Sequence, residues 1–354
     1  MMILEDFLQE VVECDFFPLP SIYHGRFRDI AWGGEKKVRI GALKAGHSPF
    51  DSLDLWLVMS EKTLGKRDVT TRITEDVEAS VPVVPRLGMF KTMTITFGDQ
   101  AENHVGMQKL GNGLAKEGFT VEELELIKQD VEGKADWKCE LVHLNDAIKD
   151  LKDIQADPAA VLIIRNGLQY LADNKFTNEE LSTELGSLEW DTKAKMYGRI
   201  VNKNARYNLC FAEFEQAADY ENGKGTVVSY EKLPCLSRIR EEIGKFGEKS
   251  ESLFAEGNLY YNTSKCGIGY HGDSERKIVV AFRLGATLPL HYHWFHQGKA
   301  IGNTVQLSFG QGDVYIMSEK ATGFDWKRKK IPTLRHAAGC SKFTTLPTPR
   351  PKRK

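Results

Sequence analysis

The chain has no apolar run of 18 residues, so no segment has the length and character that a membrane-spanning helix needs. Its start, Met1-Met2-Ile3-Leu4-Glu5-Asp6, has neither the basic region nor the long apolar core of a secretory leader. An intracellular protein, nuclear or cytoplasmic, with no membrane partner is therefore expected. The six cysteines, Cys14, Cys139, Cys210, Cys235, Cys266 and Cys340, form no Cys-x-x-Cys pair, which removes the zinc ribbon and gives a dense disulfide framework no support. Excess charge is missing too: 48 Lys and Arg stand against 49 Asp and Glu, so net charge selects neither for nor against a polyanionic partner. Gly111-Asn112-Gly113-Leu114 and Gly302-Asn303-Thr304 lack the lysine of a phosphate-binding loop. Gly223-Lys224-Gly225 does not lead from a strand into a helix.

What the chain does have is length and short strand-like runs. At 354 residues it is long for one core, and two domains or one heavily decorated domain are expected. Leu53–Met59 and Thr92–Phe97 predict strands in an N-terminal region with glycine-rich turns. Thr120 with Glu123 predicts a capped helix through Lys128, and the apolar spacing of Val142–Ile154 predicts a second. Gln155-Ala156-Asp157-Pro158 marks the expected boundary. Beyond it come a buried strand at Ala160–Ile164, a Thr177-capped helix reaching toward Leu188, and a helix over Leu233–Phe246. From Gly257 onward short strands follow one another, at Gly257–Tyr261, Ile278–Leu284, Leu288–Phe295, Val305–Leu307 and Val314–Met317, which points to a sandwich or barrel. Pro347–Lys354 is proline-rich and basic and reads as a solvated tail.

Chemistry concentrates in Gly269-Tyr270-His271-Gly272-Asp273-Ser274-Glu275-Arg276. In an extended segment residues i and i+2 project to one side, so His271 and Asp273 can reach one metal ion. His336 in Leu334-Arg335-His336 offers a third ligand. Two histidines and one carboxylate on one face leave the remaining coordination positions open, the donor set of non-haem iron(II) oxygenases.

Several pieces in order resemble the AlkB-like branch of the iron(II)/2-oxoglutarate dioxygenases, over roughly residues 160–345. Ala160–Leu188 is similar to that family's opening strand and its Phe-Thr-x-Glu-Glu helix start, followed by Leu188-Glu189-Trp190. Met196-Tyr197-Gly198-Arg199 and Ala205-Arg206-Tyr207-Asn208 resemble its substrate-lid region, with an alanine where proline is more usual. Asn258-Leu259-Tyr260 and Ile268-Gly269-Tyr270-His271-Gly272-Asp273-Ser274-Glu275 resemble its Asn-x-Tyr…Ile-Gly-x-His-x-Asp-x-Glu signature, apart from an added residue. The resemblance implies a double-stranded β-helix (jelly roll) over residues 156–346 behind an α+β N-terminal domain of unknown function at 1–155. It also implies iron held by His271, Asp273 and His336, with 2-oxoglutarate and molecular oxygen as co-substrates. The implied substrate is an alkylated base in DNA or RNA, demethylated or hydroxylated. A protein side chain or small metabolite, or a different co-substrate, is the alternative.

The chain departs from these relatives at the co-substrate carboxylate. The family's terminal Asn-x-Thr-x-Arg strand is missing, because Lys342 and Thr345 run almost directly into the tail. Some cation must take that carboxylate. Arg283, in phase with Val279 and Ala281, is the first choice, Lys342 the second and Arg350 the third, with Tyr260 or Tyr261 as hydroxyl donors. His291, His293 and His296 begin a cupin-like metal pattern without its later ligands; a polar strand face is the expected reading, and the pocket the alternative for His291 and His293. Trp326-Lys327-Arg328-Lys329-Lys330 with Arg335 makes a basic loop beside His336 that could hold a phosphate backbone, with Trp326, Phe324 or Tyr207 as stacking surfaces. Glu102, Asn103 and His104 could form a second polar site; an exposed loop is the expected reading.

Overall fold

The computed structural model describes residues 27–32, 36–43, 55–60, 91–134 and 137–346. The chain divides into two compact units, Met1–Val83 and Val84–Lys354. In the first, β1 (Phe27–Trp32), β2 (Lys36–Leu43) and β3 (Leu55–Ser60) form an antiparallel sheet in that order. The Pro347–Lys354 tail, Cys14 and Arg350 lie outside the described residues.

The second unit is built on two sheets. An eight-stranded sheet runs β12 (Val227–Ser229), β11 (Tyr207–Ala212), β13 (Phe254–Tyr260), β4 (Thr92–Gly98), β15 (Val279–Gly285), β18 (Val314–Met317), β8 (Ala160–Ile164) and β7 (Cys139–His143). A four-stranded sheet runs β14 (Gly267–His271), β19 (Thr333–Gly339), β16 (Leu288–His296) and β17 (Lys299–Phe309). Apart from the parallel β11–β12 pair, neighbouring strands of both sheets are antiparallel. From β13 to β19 the chain passes between the sheets: β13, β15 and β18 belong to the larger, β14, β16, β17 and β19 to the smaller. Two hairpins, β5 (Gln100–Glu102) with β6 (Lys109–Gly111) and β9 (Lys193–Met196) with β10 (Arg199–Asn202), stand outside the sheets.

Strand alternation sorts the core into two layers. Val161 and Ile163 of β8, Val279 and Ala281 of β15, and Tyr315 and Met317 of β18 pack against Leu290, Tyr292 and Trp294 of β16 and Leu334 and Ala338 of β19. Residues one position out of phase, such as Leu162, Val280, Phe282 and Ile316, face the other way, onto helices that contribute Leu124, Leu168, Leu181 and Leu236. The larger sheet is thus covered on both faces and reads as apolar in both phases. The result is an α+β sandwich with helices over the outer face of its larger sheet.

The helix starts follow the capping chemistry. Thr120 accepts from the Glu123 backbone while Glu123 reaches back, and Val121–Gly133 is helical; Thr177 and Glu180 repeat the arrangement at Asn178–Gly186. The predicted helix over Val142–Ile154 is instead the end of β7 followed by a short 3₁₀ turn, Leu144–Ile148. Leu141 and Val142 pair with Leu162 and Val161, so β-sheet pairing overrides the helical spacing.

The expected boundary near residue 155 is corrected to the division between Val83 and Val84. The cause is β4, which pairs with β13 on one side, Ile95 opposite Gly257, and with β15 on the other, Ile95 opposite Phe282. All seven of its residues are buried. Removing it would strand two ladders of buried N–H and C=O groups without partners. A fragment of residues 156–354 is therefore expected to lack cooperative thermal unfolding and near-ultraviolet dichroism, whereas residues 84–354 should retain both; equal unfolding transitions for the two would refute this.

Candidate metal centre and its cavity

Two sheet pairings and one tight turn assemble the site. On β19, His336 has His271 of β14 as its partner on one side and Tyr292 of β16 on the other. The β14–β19 register slips between Ile268 and His271, a bulge that re-aims His271 toward His336. Asp273 follows in a turn whose backbone N–H donates to the Thr322 carbonyl at 3.0 Å. That close approach requires glycine: a Cβ on Gly272 would lie 2.1 Å from the Gly323 oxygen and 2.8 Å from the Trp326 Cβ.

The ligand atoms of His271, Asp273 and His336 lie within 4.8 Å of one another, and among the described residues they form the one such group able to hold a metal ion. Asp273 Oδ1 is 3.5 Å from both His271 Nε2 and His336 Nε2. His271 Nδ1 lies 2.8 Å from the Gly269 carbonyl, which fixes the proton on Nδ1 and leaves Nε2 free to ligate. Burial pushes the Asp273 carboxyl upward, but His336, the bond to His271 and Arg276 outweigh it and hold it well below the usual range. Burial lowers His336, with Asp273 opposing. An ionised carboxylate beside an imidazole biased toward its neutral form is the donor state that divalent-metal binding needs.

Arg276 supports the centre from behind. It is buried, donates to Glu256 at 2.6 Å and to Glu275 at 2.8 Å, and its Nε is 3.9 Å from Asp273 Oδ2. Three carboxylates share this guanidinium, so it orients Asp273 while neutralising its neighbours.

The triad opens into a cavity of about 170 Å³. Its inner wall holds Arg283, Thr94, Tyr260 and Tyr315. Arg283 is 1% exposed, and its Nε and Nη1 have no partner; Thr94, directly opposite on β4, has a buried and equally unpartnered hydroxyl. Burial raises the phenols of Tyr260 and Tyr315, the latter to about 12, while the Arg283 charge pulls both back. A buried guanidinium with two unpartnered nitrogens is costly, so this recess can accept an anion.

Of the residues named from sequence, His271, Asp273, His336, Arg283 and Tyr260 meet in one cavity. Tyr261 and Lys342 do not line it. The Tyr261 hydroxyl donates to the Asn204 carbonyl and its ring stacks on Tyr207 at 4.7 Å, while Lys342 lies over Phe343. His291 and His293 are out of phase with the inward-facing Tyr292 and so face away from the cavity; His293 Nδ1 pairs with the Thr304 hydroxyl. Trp326 and Lys327 do line the mouth, whereas Phe324 is covered by Lys277.

Sequence reading missed the roof. Glu102, Asn103, His104 and Val105, at the end of β5 and in the loop after it, line the same cavity. Asn103 is pinned by Lys203 Nζ at 2.7 Å and donates to Asp191 at 2.8 Å. Nothing local in Ala101-Glu102-Asn103-His104 signals this; it follows from β4 entering the sheet. Burial pushes Glu102 up to about 7, with Glu275 and Glu256 adding to the effect.

Two outcomes follow. A divalent first-row ion at 100 times its Kd is expected to stabilise the protein by ~2.7 kcal/mol, seen as a raised Tm, and Asp273→Ala to abolish that rise. For Glu102 the folded state holds a proton that the unfolded chain releases, so its stability penalty is absent below the ordinary carboxylate range, grows as pH rises, and is complete above about 7. Glu102→Gln should therefore gain stability over the native protein at pH 8, by roughly 2 kcal/mol, and none at pH 4; a pH-independent difference in Tm would contradict this.

No protein-family model matches the sequence. The chain is similar to "Uncharacterized protein R156" of Acanthamoeba polyphaga mimivirus, with 47% identity over 254 residues, covering 72% of this chain and 97% of the viral protein. That name assigns no activity, but the extent of the match does assign kinship. The chain belongs to the family of this mimivirus protein.

Proposed function

We propose that the protein is a non-haem iron(II)- and 2-oxoglutarate-dependent dioxygenase of the AlkB-like kind, oxidising an alkyl group on a base in DNA or RNA. One observation carries the reading: the His271, Asp273 and His336 triad shares its cavity with a buried arginine whose Nε and Nη1 have no partner. A metal donor set and a buried cation in one small cavity suit a diacid that chelates the metal through one end and needs its far carboxylate neutralised.

The jelly-roll reading rests on the strand sequence. Strands from β13 to β19 pass back and forth between the sheets, and β4, from the N-terminal side, stands between β13 and β15. In this reading Arg283, on the strand beside β4, takes the part of the arginine in the missing Asn-x-Thr-x-Arg strand.

In this reading iron(II), when bound, supplies oxidation of an unactivated C–H bond with oxygen and 2-oxoglutarate as co-substrates. His271, Asp273 and His336 hold it from one side. Arg283, with the Thr94 hydroxyl and the Tyr260 phenol, orients the co-substrate by its far carboxylate. At the mouth, Glu102 presents a hydrogen-bonding group to an entering base, while Arg206 and Lys327 stand where phosphates pass. The base enters flipped out or from a single strand. An alkyl carbon attached to nitrogen and hydroxylated leaves as an aldehyde.

Succinate release with iron(II), 2-oxoglutarate and oxygen tests the reading. It should depend on His271, measured with His271→Ala, and rise with a methylated oligonucleotide; release indifferent to every oligonucleotide would move the substrate to proteins or metabolites. Arg283→Ala should raise the KM for 2-oxoglutarate about 10- to 100-fold, the loss of a charge-assisted fork worth ~1.5–3 kcal/mol. Metal binding should stay intact in the same variant, because Arg283 is not among the ligands.

A further inference from the structure

Charge is evenly divided over the chain but not over the fold. The four strands of the smaller sheet contain no Asp or Glu, while they carry Lys299, Arg335 and five histidines. The turn before β19 adds Lys327, Arg328, Lys329 and Lys330, all exposed. Among the described residues none of these lysines and arginines has a carboxylate partner. In a chain where acids match bases in number, this is a cationic surface with its counter-charges left out.

The outer face of the same sheet carries aromatic groups. Leu290, Tyr292 and Trp294 face the core, so His293 and Phe295 look outward, joined by Tyr270 and Arg335. The Arg335 guanidinium lies 3.9 Å from the centre of the Phe295 ring and 5.1 Å from that of Trp326. His293 and Phe295 are buried beneath Tyr270 and Arg335, and Arg335 Nε, Trp326 Nε1 and the Tyr270 hydroxyl are buried without a hydrogen-bond partner. Along β17, Thr304, Gln306 and Ser308 add exposed polar side chains. Trp326 and Lys327 also line the metal cavity, so this face runs without a break into its mouth.

We propose that the outer face of the β14–β19–β16–β17 sheet, with the Trp326–Lys330 turn, is the track for a single-stranded stretch of nucleic acid flanking the base delivered to the metal centre. Phosphates meet Arg328, Lys329 and Lys330, and Lys299 at the end of the β16–β17 hairpin, where the Gln297 N–H donates to the Lys329 carbonyl at 3.0 Å; hydroxyl and amide groups of β17 take further backbone contacts. Trp326 and the Arg335 guanidinium plane offer stacking surfaces, which a single strand can use because its bases are free to turn. The absence of acids on the sheet makes the surface selective for a polyanion, and the aromatic and guanidinium planes favour bases over lipid headgroups. The inference rests on the proposed function and extends it by assigning the substrate's path.

The test is binding of a fluorescent oligothymidylate, without methylation, by anisotropy over a range of salt. Substituting Lys299→Ala, Arg328→Ala, Lys329→Ala and Lys330→Ala together should weaken binding at least tenfold at 0.1 M salt. The slope of log K against log salt should fall by about 3, at ~0.7 for each lost phosphate contact. A charge-matched control, Lys152→Ala, Lys175→Ala, Lys224→Ala and Lys232→Ala, should bind as the native protein does. Equal losses in both variants, no loss in the first, or phosphatidylserine vesicles captured as tightly as the oligonucleotide would overturn the proposal. The dioxygenase reading fails separately: no His271-dependent succinate release under any condition would remove it, while strand binding lost only in the first variant would leave the track standing.

Discussion

The sandwich depends on one central strand that arrives from outside the run of strands it completes. β4 sits between β13 and β15 with every residue buried, so its backbone must be bonded on both edges. Its alternation then does two separate jobs. Met93, Ile95 and Phe97 fill the helix-covered layer, while Thr94 and Thr96 face the cavity beside the metal ligands. Because β5 follows β4 after a single residue, the same strand also places Glu102 and Asn103 over the cavity mouth. Core, anion recess and roof are thereby tied to one set of ladder bonds.

Buried charge divides the cavity by function. Arg276 is surrounded by Glu256, Glu275 and Asp273, and its cost of burial is offset within the protein. Arg283 has no carboxylate beside it: its neighbours are threonine and tyrosine, and its Nε and Nη1 have no partner. One arginine is held among carboxylates and orients Asp273; the other has room to take a ligand's negative charge, as the proposed function requires. Glu102, buried without a cation bonded to it, places a further adjustable group at the opposite end. A folded protein of ordinary stability tolerates few such groups, and here they gather in one cavity.

Several strands of both sheets, and the metal-ligand pattern, were legible because they depend on short-range pattern. His271 and Asp273 are two residues apart, the Thr120 and Thr177 capping boxes are local, and Val314–Met317 is a strand within its own four residues. Arg283 was legible through its phase with Val279 and Ala281. The Val142–Ile154 segment was misread because its apolar spacing suits a helix equally well, and only pairing with β8 decides for a strand. Tyr260 and Tyr261 could not be told apart by residue type; which one faces the cavity is set by the parity of β13.

The sequence by itself determined the donor chemistry, the capped helices and the alternation that sorts each strand's residues into two faces. All of these follow from spacings of two to four residues and from side-chain type. Tertiary structure decided what depends on contacts far apart in the chain. It put His336 opposite His271, set Thr94 against Arg283 and brought Glu102 over the cavity. Local periodicity fixes the face on which a residue lies, but not which distant strand will pair beside it, since that is settled by satisfying every buried backbone bond at once.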